Sequence, residues 1–361
     1  MTPPLEIHQV VVTAAPGDAI TNSAFEIRAL LRRDGKPSNV YARFIDPALG
    51  GQVRPLTALG PGRADDVILY HASIGQAEVT QFLLERPERL ALLYHNMSPA
   101  EPFEPYDPGF ATLLEQGRRE LERLRDRVVL PLAVSCFNAR DLESHGYRDV
   151  RVAPLIVDPS WLLSVPPHPE TVAWQRKVPG PVLLFVGQLL PHKQPHVLLQ
   201  AFHALCTYLL PEAHLFLVGA PRLARYKECL QFFIEELNLT HCGIIRSPVT
   251  EAELAAYYRR ADAVVTLSEH EGFCVPLLEA MAFDKPILAR ATAAIPETLE
   301  DAGLMIGADD GALVAAEAML EILTNAPLRA DLVERGRRRL RHFHPDNARA
   351  ILRDHLATLA G

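Results

Sequence analysis

The chain has 361 residues, of which 48% are hydrophobic and 22% charged, and its net charge is −8. This length predicts about two domains, and the acidic balance argues against nonspecific binding of nucleic acid. Five scattered cysteines without a C-x-x-C pair, no apolar run of the ~18 residues that a membrane span needs, and no signal-peptide pattern at the N-terminus predict a reduced, cytoplasmic protein.

Short apolar runs alternate with helical patterns through the first half of the chain. The predicted strands are residues 7–13, 40–44, 67–70, 90–94, 132–135 and 150–153. The predicted helices are residues 21–33, 77–85, 109–125 and 139–146. This alternation predicts a parallel sheet with crossover helices.

A proline-rich stretch, residues 158–181, separates the two halves and is predicted to be a linker without packed elements. A second alternating series follows it. Its predicted strands are residues 182–186, 214–218, 243–245, 263–267 and 286–289. Its predicted helices are residues 196–209, 224–237 and 251–260, one from residue 275, and residues 311–323, 328–342 and 345–359.

Together the two series predict an α/β protein of two doubly wound, Rossmann-like domains with a cleft between them. The predicted domains are residues 1–170 and 171–344, with the last helix, 345–361, packing back onto the first domain. In sheets of this type, ligands bind at the carboxyl ends of the strands.

The segment from Ser268 to Ala282 joins a predicted strand to a predicted helix and carries two carboxylates, Glu271 and Glu279. Eight residues of helix would rise ~12 Å, which is too far for a close acid–base pair. The two carboxylates could instead hold opposite ends of one elongated ligand, with the N–H groups of the helix start facing an anion between them. The alternative is one capping and one surface glutamate.

A second pattern, Val-Gly-x5-Lys, ends the strand at residues 182–186. Gly187 allows a sharp turn, and Lys193 could reach a phosphate from the loop. Taken alone, this pattern is also typical of an ordinary loop with a solvated lysine.

Polar residues also follow strands in the first half. His95 could hydrogen-bond a sugar hydroxyl or could be a structural histidine beside a turn, and His71 has the same placement with a weaker case. Gly17 and Asp18 could face an anion, although Asp18 could equally cap the next helix.

Four further features of the sequence each have a functional and a purely structural interpretation. Arg222 could touch a phosphate or be solvated, and Val249 could border a base or belong to a turn. The arginine-rich run 118–127 is interleaved with acids and favours a solvated helix face. The charges of the run 335–341 are less balanced by acids, so a peripheral membrane contact is retained as one interpretation of this run.

Together these segments resemble the retaining GT-B glycosyltransferases of family 4 over nearly the whole chain. The sharpest match is Glu271-x7-Glu279, followed by Ile295-Pro296-Glu297, and Val-Gly-x5-Lys is the second. The segment Tyr-His-Asn-Met-Ser-Pro around His95 is similar to a bacterial branch of that family.

The resemblance implies a role for each matching position. Glu271 would contact the hydroxyls of the donor sugar, Glu279 those of the ribose, and Lys193 the departing diphosphate. Main-chain N–H groups near Gly272, Phe273, Cys274 and Val275 would help to stabilise the leaving group. His95 would lie near the reacting centre, and Val249 would border the base. The predicted donor-binding site also includes Gly187, Gln188, Arg222, Gly17 and Asp18.

The resemblance implies a hexosyl transfer with retention, from a UDP- or GDP-sugar to a glycan or lipid-linked glycan, in surface polysaccharide biosynthesis. No metal or other cofactor is expected, since no D-x-D or metal-spaced cluster is present. The chain departs from the family at Gln188, where the family carries Arg, and at Gly17-Asp18, where many relatives carry paired glycines. An epimerase or sugar phosphorylase is less consistent with these motifs. Gln188 favours, as the alternative, a catalytically silent GT-B protein that binds only a nucleotide or a partner.

Overall fold

The computed structural model describes residues 4–220 and 222–359, and these form two compact units. The first contains the described residues up to Glu101, then Pro108–Val157, and the described residues from His344. The second contains Pro102–Asp107 and the described part of Asp158–Phe343. The predicted boundary after residue 170 falls inside the second unit, and residues 1–3 and 360–361 of the predicted domains lie outside the described residues.

The first unit is built on a seven-stranded parallel sheet with the order β3-β2-β1-β4-β5-β6-β7. Its strands are β1 (Ile7–Ala14), β2 (Val40–Ile45), β3 (Arg54–Pro55), β4 (Val67–Ala72), β5 (Arg89–Tyr94), β6 (Val128–Ala133) and β7 (Arg151–Val152). The strand order reverses between β1 and β4, which is the position where such sheets open a binding crevice.

Five α-helices belong to the first unit among the described residues. They are α1 (Ala19–Arg33), α2 (Ala77–Leu84), α3 (Pro108–Leu124), α4 (Cys136–Ser144) and, from the chain end, α14 (Pro345–Ala357). Helix α14 buries Leu352 and Leu356, and Arg353 forms a two-pronged ion pair with Asp34.

The second unit is built on a six-stranded parallel sheet with the order β10-β9-β8-β11-β12-β13. Its strands are β8 (Val182–Val186), β9 (His214–Val218), β10 (Gly243–Arg246), β11 (Ala263–Thr266), β12 (Ile287–Arg290) and β13 (Leu304–Ile306). Both faces of this sheet are covered by helices, so strands such as Val182–Val186 are apolar at every position. Here the order reverses between β8 and β11.

The helices of the second unit follow the same alternation. They are α5 (Trp161–Ser164), α6 (Pro169–Gln175), α7 (Pro195–Ala204), α8 (Ala224–Glu236), α9 (Glu251–Arg260), α10 (Val275–Ala282), α11 (Ile295–Leu299), α12 (Ala312–Thr324) and α13 (Ala326–His342). Among the described helices, none combines the length and apolarity that crossing a bilayer requires.

The prediction of an unpacked linker over residues 158–181 was wrong. Helix α6 begins at Pro169, where the missing N–H costs nothing because the first turn has no partner for it, and the His168 side chain caps the helix. The ring of Trp174 lies 5.4 Å from that of Phe216 in the sheet, so α6 is part of the packed second unit.

The segment Pro102–Asp107 packs with the second unit, although its neighbours in sequence belong to the first. The buried ring of Phe103 lies 5.3 Å from that of His192, and the ring of Tyr106 lies 4.8 Å from that of Tyr226. Two aromatic contacts therefore hold this short segment beside His192, in the loop after β8, and beside Tyr226, at the start of the helix after β9.

Acids of the same unit neutralise much of the basic run 335–341. Arg337 makes two hydrogen bonds to Asp284, Arg338 pairs with Asp301, and Arg339 pairs with Glu300. The run is thus largely a set of intramolecular ion pairs, which weakens the argument for a membrane contact there.

Candidate functional site

The loop after β8 brings Lys193 back beside Gly187. A Cβ atom on Gly187 would lie 3.7 Å from Lys193 Nζ, and the Gly187 carbonyl packs so tightly on Gly219 that a Cβ there would lie 1.8 Å from it. Gly219 follows β9 and has a φ of +155°, so glycine is required by both close approach and backbone conformation. This packing fixes the Gly-x5-Lys loop at the carboxyl end of the sheet.

Lys193 and Glu271, predicted from separate motifs, contact each other directly. Lys193 Nζ donates to Glu271 Oε1 over 2.7 Å, and Ser268 Oγ donates to the same oxygen over 2.9 Å. The Thr266 hydroxyl, at the end of β11, lies 2.9 Å from that of Ser268. The ends of the neighbouring strands β8 and β11 therefore meet in one charged, hydrogen-bonded cluster at the switch point.

The ion pair keeps Lys193 charged. Burial lowers the pKa of Lys193, but the nearby Glu271 carboxylate outweighs this effect, and the net pKa is raised. The side chains of Lys193 and Glu271 are only 16% and 10% exposed, so water screens their attraction weakly.

The backbone between Glu271 and α10 is held by the loop after β12 and by the helix α11 that follows it. The Glu271 carbonyl accepts from Ala294 N over 3.2 Å, and the Phe273 carbonyl accepts from Thr298 Oγ1 over 2.8 Å. Cys274 has a φ of +67° and directly precedes Val275, the first residue of α10. The first N–H groups of a helix lack intrahelical acceptors, so this fixed turn presents an anion-binding end beside Lys193.

Glu279, on α10, has a different partner from Glu271. Tyr258, a buried residue of α9, donates its hydroxyl to Glu279 Oε2 over 2.6 Å, and its ring stacks on Phe283 at 5.0 Å. Burial raises the pKa of Glu279, whereas the hydrogen bond from Tyr258 lowers it, and burial dominates. The two glutamates thus hold separate positions and do not form a pair, as the sequence predicts.

The remaining predicted residues of the second unit lie in the loops after β8, β9 and β10. Gln188 is half-buried beside Gly187, and Arg222 is exposed in the loop before α8. Val249 is half-buried and follows a cis Ser247–Pro248 peptide. The structure does not bring Arg222 into the Lys193–Glu271 cluster.

In the first unit, the predicted loop residues have structural roles. Gly17 adopts a φ of +73° in the turn after β1. The Asp18 carboxylate accepts from Thr21 N and from Thr21 Oγ1, both over 2.9 Å, and so caps α1. The capping interpretation that the sequence left open therefore describes Asp18 in this structure.

His95 follows β5 and contacts the buried His71. The distance between His95 Nε2 and His71 Nδ1 is 2.9 Å, and His71 Nε2 lies 3.0 Å from Gln9 Oε1. The sequence did not single out Gln9 or Tyr258, because a single residue within a strand or helix carries no signal of its distant partner. Ser268 could have been found, since its hydroxyl lies inside the Glu271 motif.

Comparisons with known proteins agree with this geometry. Residues 171–339 match the family described as glycosyl transferases group 1. A D-inositol 3-phosphate glycosyltransferase of Kineococcus radiotolerans is 28% identical over 204 residues, 54% of this chain and 46% of that protein. One of Salinispora arenicola is 31% identical over 175 residues, 46% of this chain and 39% of that protein. The aligned part of the chain thus spans less than half the length of these curated relatives.

Solved structures match over nearly the full length. HepE of Anabaena, in complex with UDP and glucose, aligns with a TM-score of 0.75 at 17% identity, covering 98% of this chain and 100% of that one. Sucrose-phosphate synthase of Thermosynechococcus elongatus aligns with a TM-score of 0.72 at 18% identity, covering 98% of both chains. The Lys193–Glu271 cluster thus lies in the part of the chain that is similar to the glycosyl transferases group 1 family, and the chain has the GT-B fold.

Proposed function

We propose that this protein transfers a hexosyl group from a nucleoside-diphosphate sugar to a hydroxyl of a glycan or lipid-linked glycan, with retention at the anomeric carbon. Surface polysaccharide biosynthesis is the process we assign to it. The family match over the second unit supports the donor class. UDP-glucose is the first donor to test, because HepE was solved with UDP and glucose.

The observation that carries the proposal is the Lys193–Glu271 cluster beside the start of α10. A diphosphate placed there would meet the Lys193 ammonium and the main-chain N–H groups of the helix end. The sugar would then lie toward Glu271, whose carboxylate accepts hydrogen bonds from hydroxyls. The ribose would lie toward Glu279, whose second oxygen can accept from ribose hydroxyls while Tyr258 holds the first.

The chemistry that we propose needs no carboxylate nucleophile. The bond between the anomeric carbon and the leaving phosphate breaks, and the acceptor oxygen forms a bond on the same face. The acceptor proton moves to a leaving phosphate oxygen. Lys193 and the helix N-terminus stabilise the negative charge that develops on the diphosphate, as preorganised electrostatic groups do in general. We also propose that this transfer needs no metal ion.

One observation favours a second candidate, a protein that binds nucleotide without turnover. Gln188 replaces the arginine that the resemblance implies, and the charge of Lys193 is already balanced by Glu271. The diphosphate would then meet less net positive charge than in relatives that carry both cations. Binding and turnover must therefore be measured separately.

Calorimetric or thermal-shift titration with UDP, GDP, ADP and their sugars tests donor binding. A nucleotide present at 100 times its dissociation constant would add ~2.7 kcal/mol to the free energy of unfolding. We expect one base to be preferred and Glu279→Ala to bind that nucleotide more weakly, because it loses the contact with the ribose. Binding of no nucleotide would refute both candidates, whereas binding without consumption of any sugar donor would favour the second.

A further inference from the structure

A hydrogen-bonded chain of three side chains crosses the middle of the first sheet and ends at His95. Gln9 lies in β1 and His71 in β4, and both are fully buried, with 0% of their surface exposed. His95 directly follows β5, and its ring stacks on that of His71 with a centroid distance of 5.1 Å. Polar groups are costly to bury, so a chain of this kind at a sheet switch point calls for an explanation.

The hydrogen-bond donors along this chain can be assigned from its fixed end. Gln9 Nε2 lies 3.0 Å from the Ala24 carbonyl, which can only accept, so the Gln9 amide nitrogen faces Ala24 and its oxygen faces His71. An amide oxygen also only accepts, so His71 Nε2 carries the proton. His71 Nδ1 is then an acceptor for a proton on His95 Nε2, 2.9 Å away.

Both imidazoles are held neutral by their surroundings. Burial lowers the pKa of His71 to about 3. Burial, and secondarily the neighbouring His71, lowers the pKa of His95 well below its ordinary value, and no carboxylate among the described residues contributes a compensating attraction to either ring. A neutral His95 with its proton on Nε2 carries its lone pair on Nδ1.

We propose that Gln9 and His71 are positioning residues that hold His95 in a single neutral tautomer, with Nδ1 as a hydrogen-bond acceptor for a substrate hydroxyl. The part that concerns substrate rests on the proposed function, whereas the tautomer is a property of the first unit alone. In this arrangement His95 orients a hydroxyl and does not act as a general acid.

Nitrogen-15 NMR of histidine-labelled protein tests the tautomer directly, because protonated and unprotonated imidazole nitrogens have distinct chemical shifts. The signals of the two rings are assigned by their absence from the spectra of the variants His95→Gln and His71→Gln. From about pH 8 to about pH 5, we expect His95 to keep a protonated Nε2 and an unprotonated Nδ1. A proton on His95 Nδ1, or conversion of His95 to imidazolium in this range, would overturn the inference.

Turnover of a sugar donor tests the consequence for catalysis. Gln9→Leu removes the amide oxygen that accepts from His71, so His95 should populate both tautomers. We then expect kcat to fall about tenfold, which corresponds to the free energy of about one hydrogen bond. Affinity for the free nucleoside diphosphate should not change, because we place that site in the second unit. Gln175→Leu, the same substitution at another buried position, should leave kcat within about twofold.

The outcomes separate this inference from the proposed function. If the wild type consumes no donor, the proposed function fails while the NMR result still stands. If the wild type consumes a donor and Gln9→Leu keeps both wild-type kcat and the wild-type tautomer, the positioning role of Gln9 and His71 is refuted.

Discussion

Lys193 and Glu271 lie 78 residues apart in sequence, yet Lys193 Nζ and Glu271 Oε1 are 2.7 Å apart in a largely buried cluster. Each charge compensates the burial of the other. Removing either partner alone leaves a buried charge, whereas removing both does not.

A double-mutant cycle measures this coupling. We expect Lys193→Met and Glu271→Gln each to lower the free energy of unfolding by about 1–3 kcal/mol, the cost of an unsatisfied buried polar group. The double variant should lose clearly less than the sum of the two single losses. Additive losses in urea denaturation would show that the pair contributes no coupling energy.

Tyr258→Phe should weaken ribose recognition without disturbing the fold. The variant keeps the stack on Phe283 but removes the hydroxyl that holds Glu279. We expect affinity for a nucleoside diphosphate to fall about tenfold, and the preference for ribose over 2′-deoxyribose to fall with it.

The neighbouring residue provides a matched control for that variant. Tyr257→Phe removes a hydroxyl from an equally buried tyrosine of α9 whose ring lies against Phe216. This variant should bind the ribonucleoside diphosphate and its 2′-deoxy form with the affinities of the wild type. Equal losses in Tyr257→Phe and Tyr258→Phe would contradict a specific role of Tyr258.

The raised pKa of Glu279 predicts a pH-dependent cost to stability. Because burial raises this pKa above its ordinary value of 4.5, the folded state holds the Glu279 proton at a pH where the unfolded state has lost it. The contribution of Glu279 to stability therefore falls as the pH rises from about 4.5 through the folded-state pKa.

Glu279→Gln should remove this cost, since the amide oxygen can still accept from Tyr258. We expect the variant to be more stable than the wild type at neutral pH, with the difference vanishing below pH 4.5, and to bind nucleotide more weakly. Free energies of unfolding measured across this pH range check the sign. A variant less stable than the wild type at neutral pH would contradict it.

Helix α14 should be held to the first unit by apolar burial more than by its surface ion pairs. Leu352 is 2% exposed, whereas Arg353 and its partner Asp34 are 46% and 27% exposed. We expect Leu352→Ala to cost about 2–5 kcal/mol and Arg353→Ala less than about 1 kcal/mol in denaturant unfolding. Similar costs for the two variants would show that the ion pair contributes more than its exposure implies.

Much of the fold follows from the apolar periodicity of the sequence. The predicted strands 182–186 and 214–218 coincide with β8 and β9, because fully buried parallel strands are short apolar runs bounded by breakers. Strand β6 begins at Val128, not at residue 132 as predicted, because Pro131 lies inside it and the sheet accommodates it near an irregular register. The short elements α11 and β13 were not predicted, since neither is long enough to show a period.

The candidate site could be predicted only where a local motif marks a strand end. Lys193 and Glu271 stand in such motifs, and the structure brings them together. The supporting partners Tyr258 and Gln9 act across distant helices and strands, so their roles depend on tertiary packing that no local pattern encodes. The helix cap formed by Asp18 was one of two interpretations that the sequence could not separate.

Release of nucleoside diphosphate from UDP-, GDP- and ADP-sugars, measured for the wild type and for Glu271→Ala, tests the central claim most directly. The account predicts that the wild type consumes at least one donor, and that Glu271→Ala binds the matching free nucleotide but consumes none. Consumption by Glu271→Ala at the wild-type rate, or no consumption of any donor by the wild type, would contradict it.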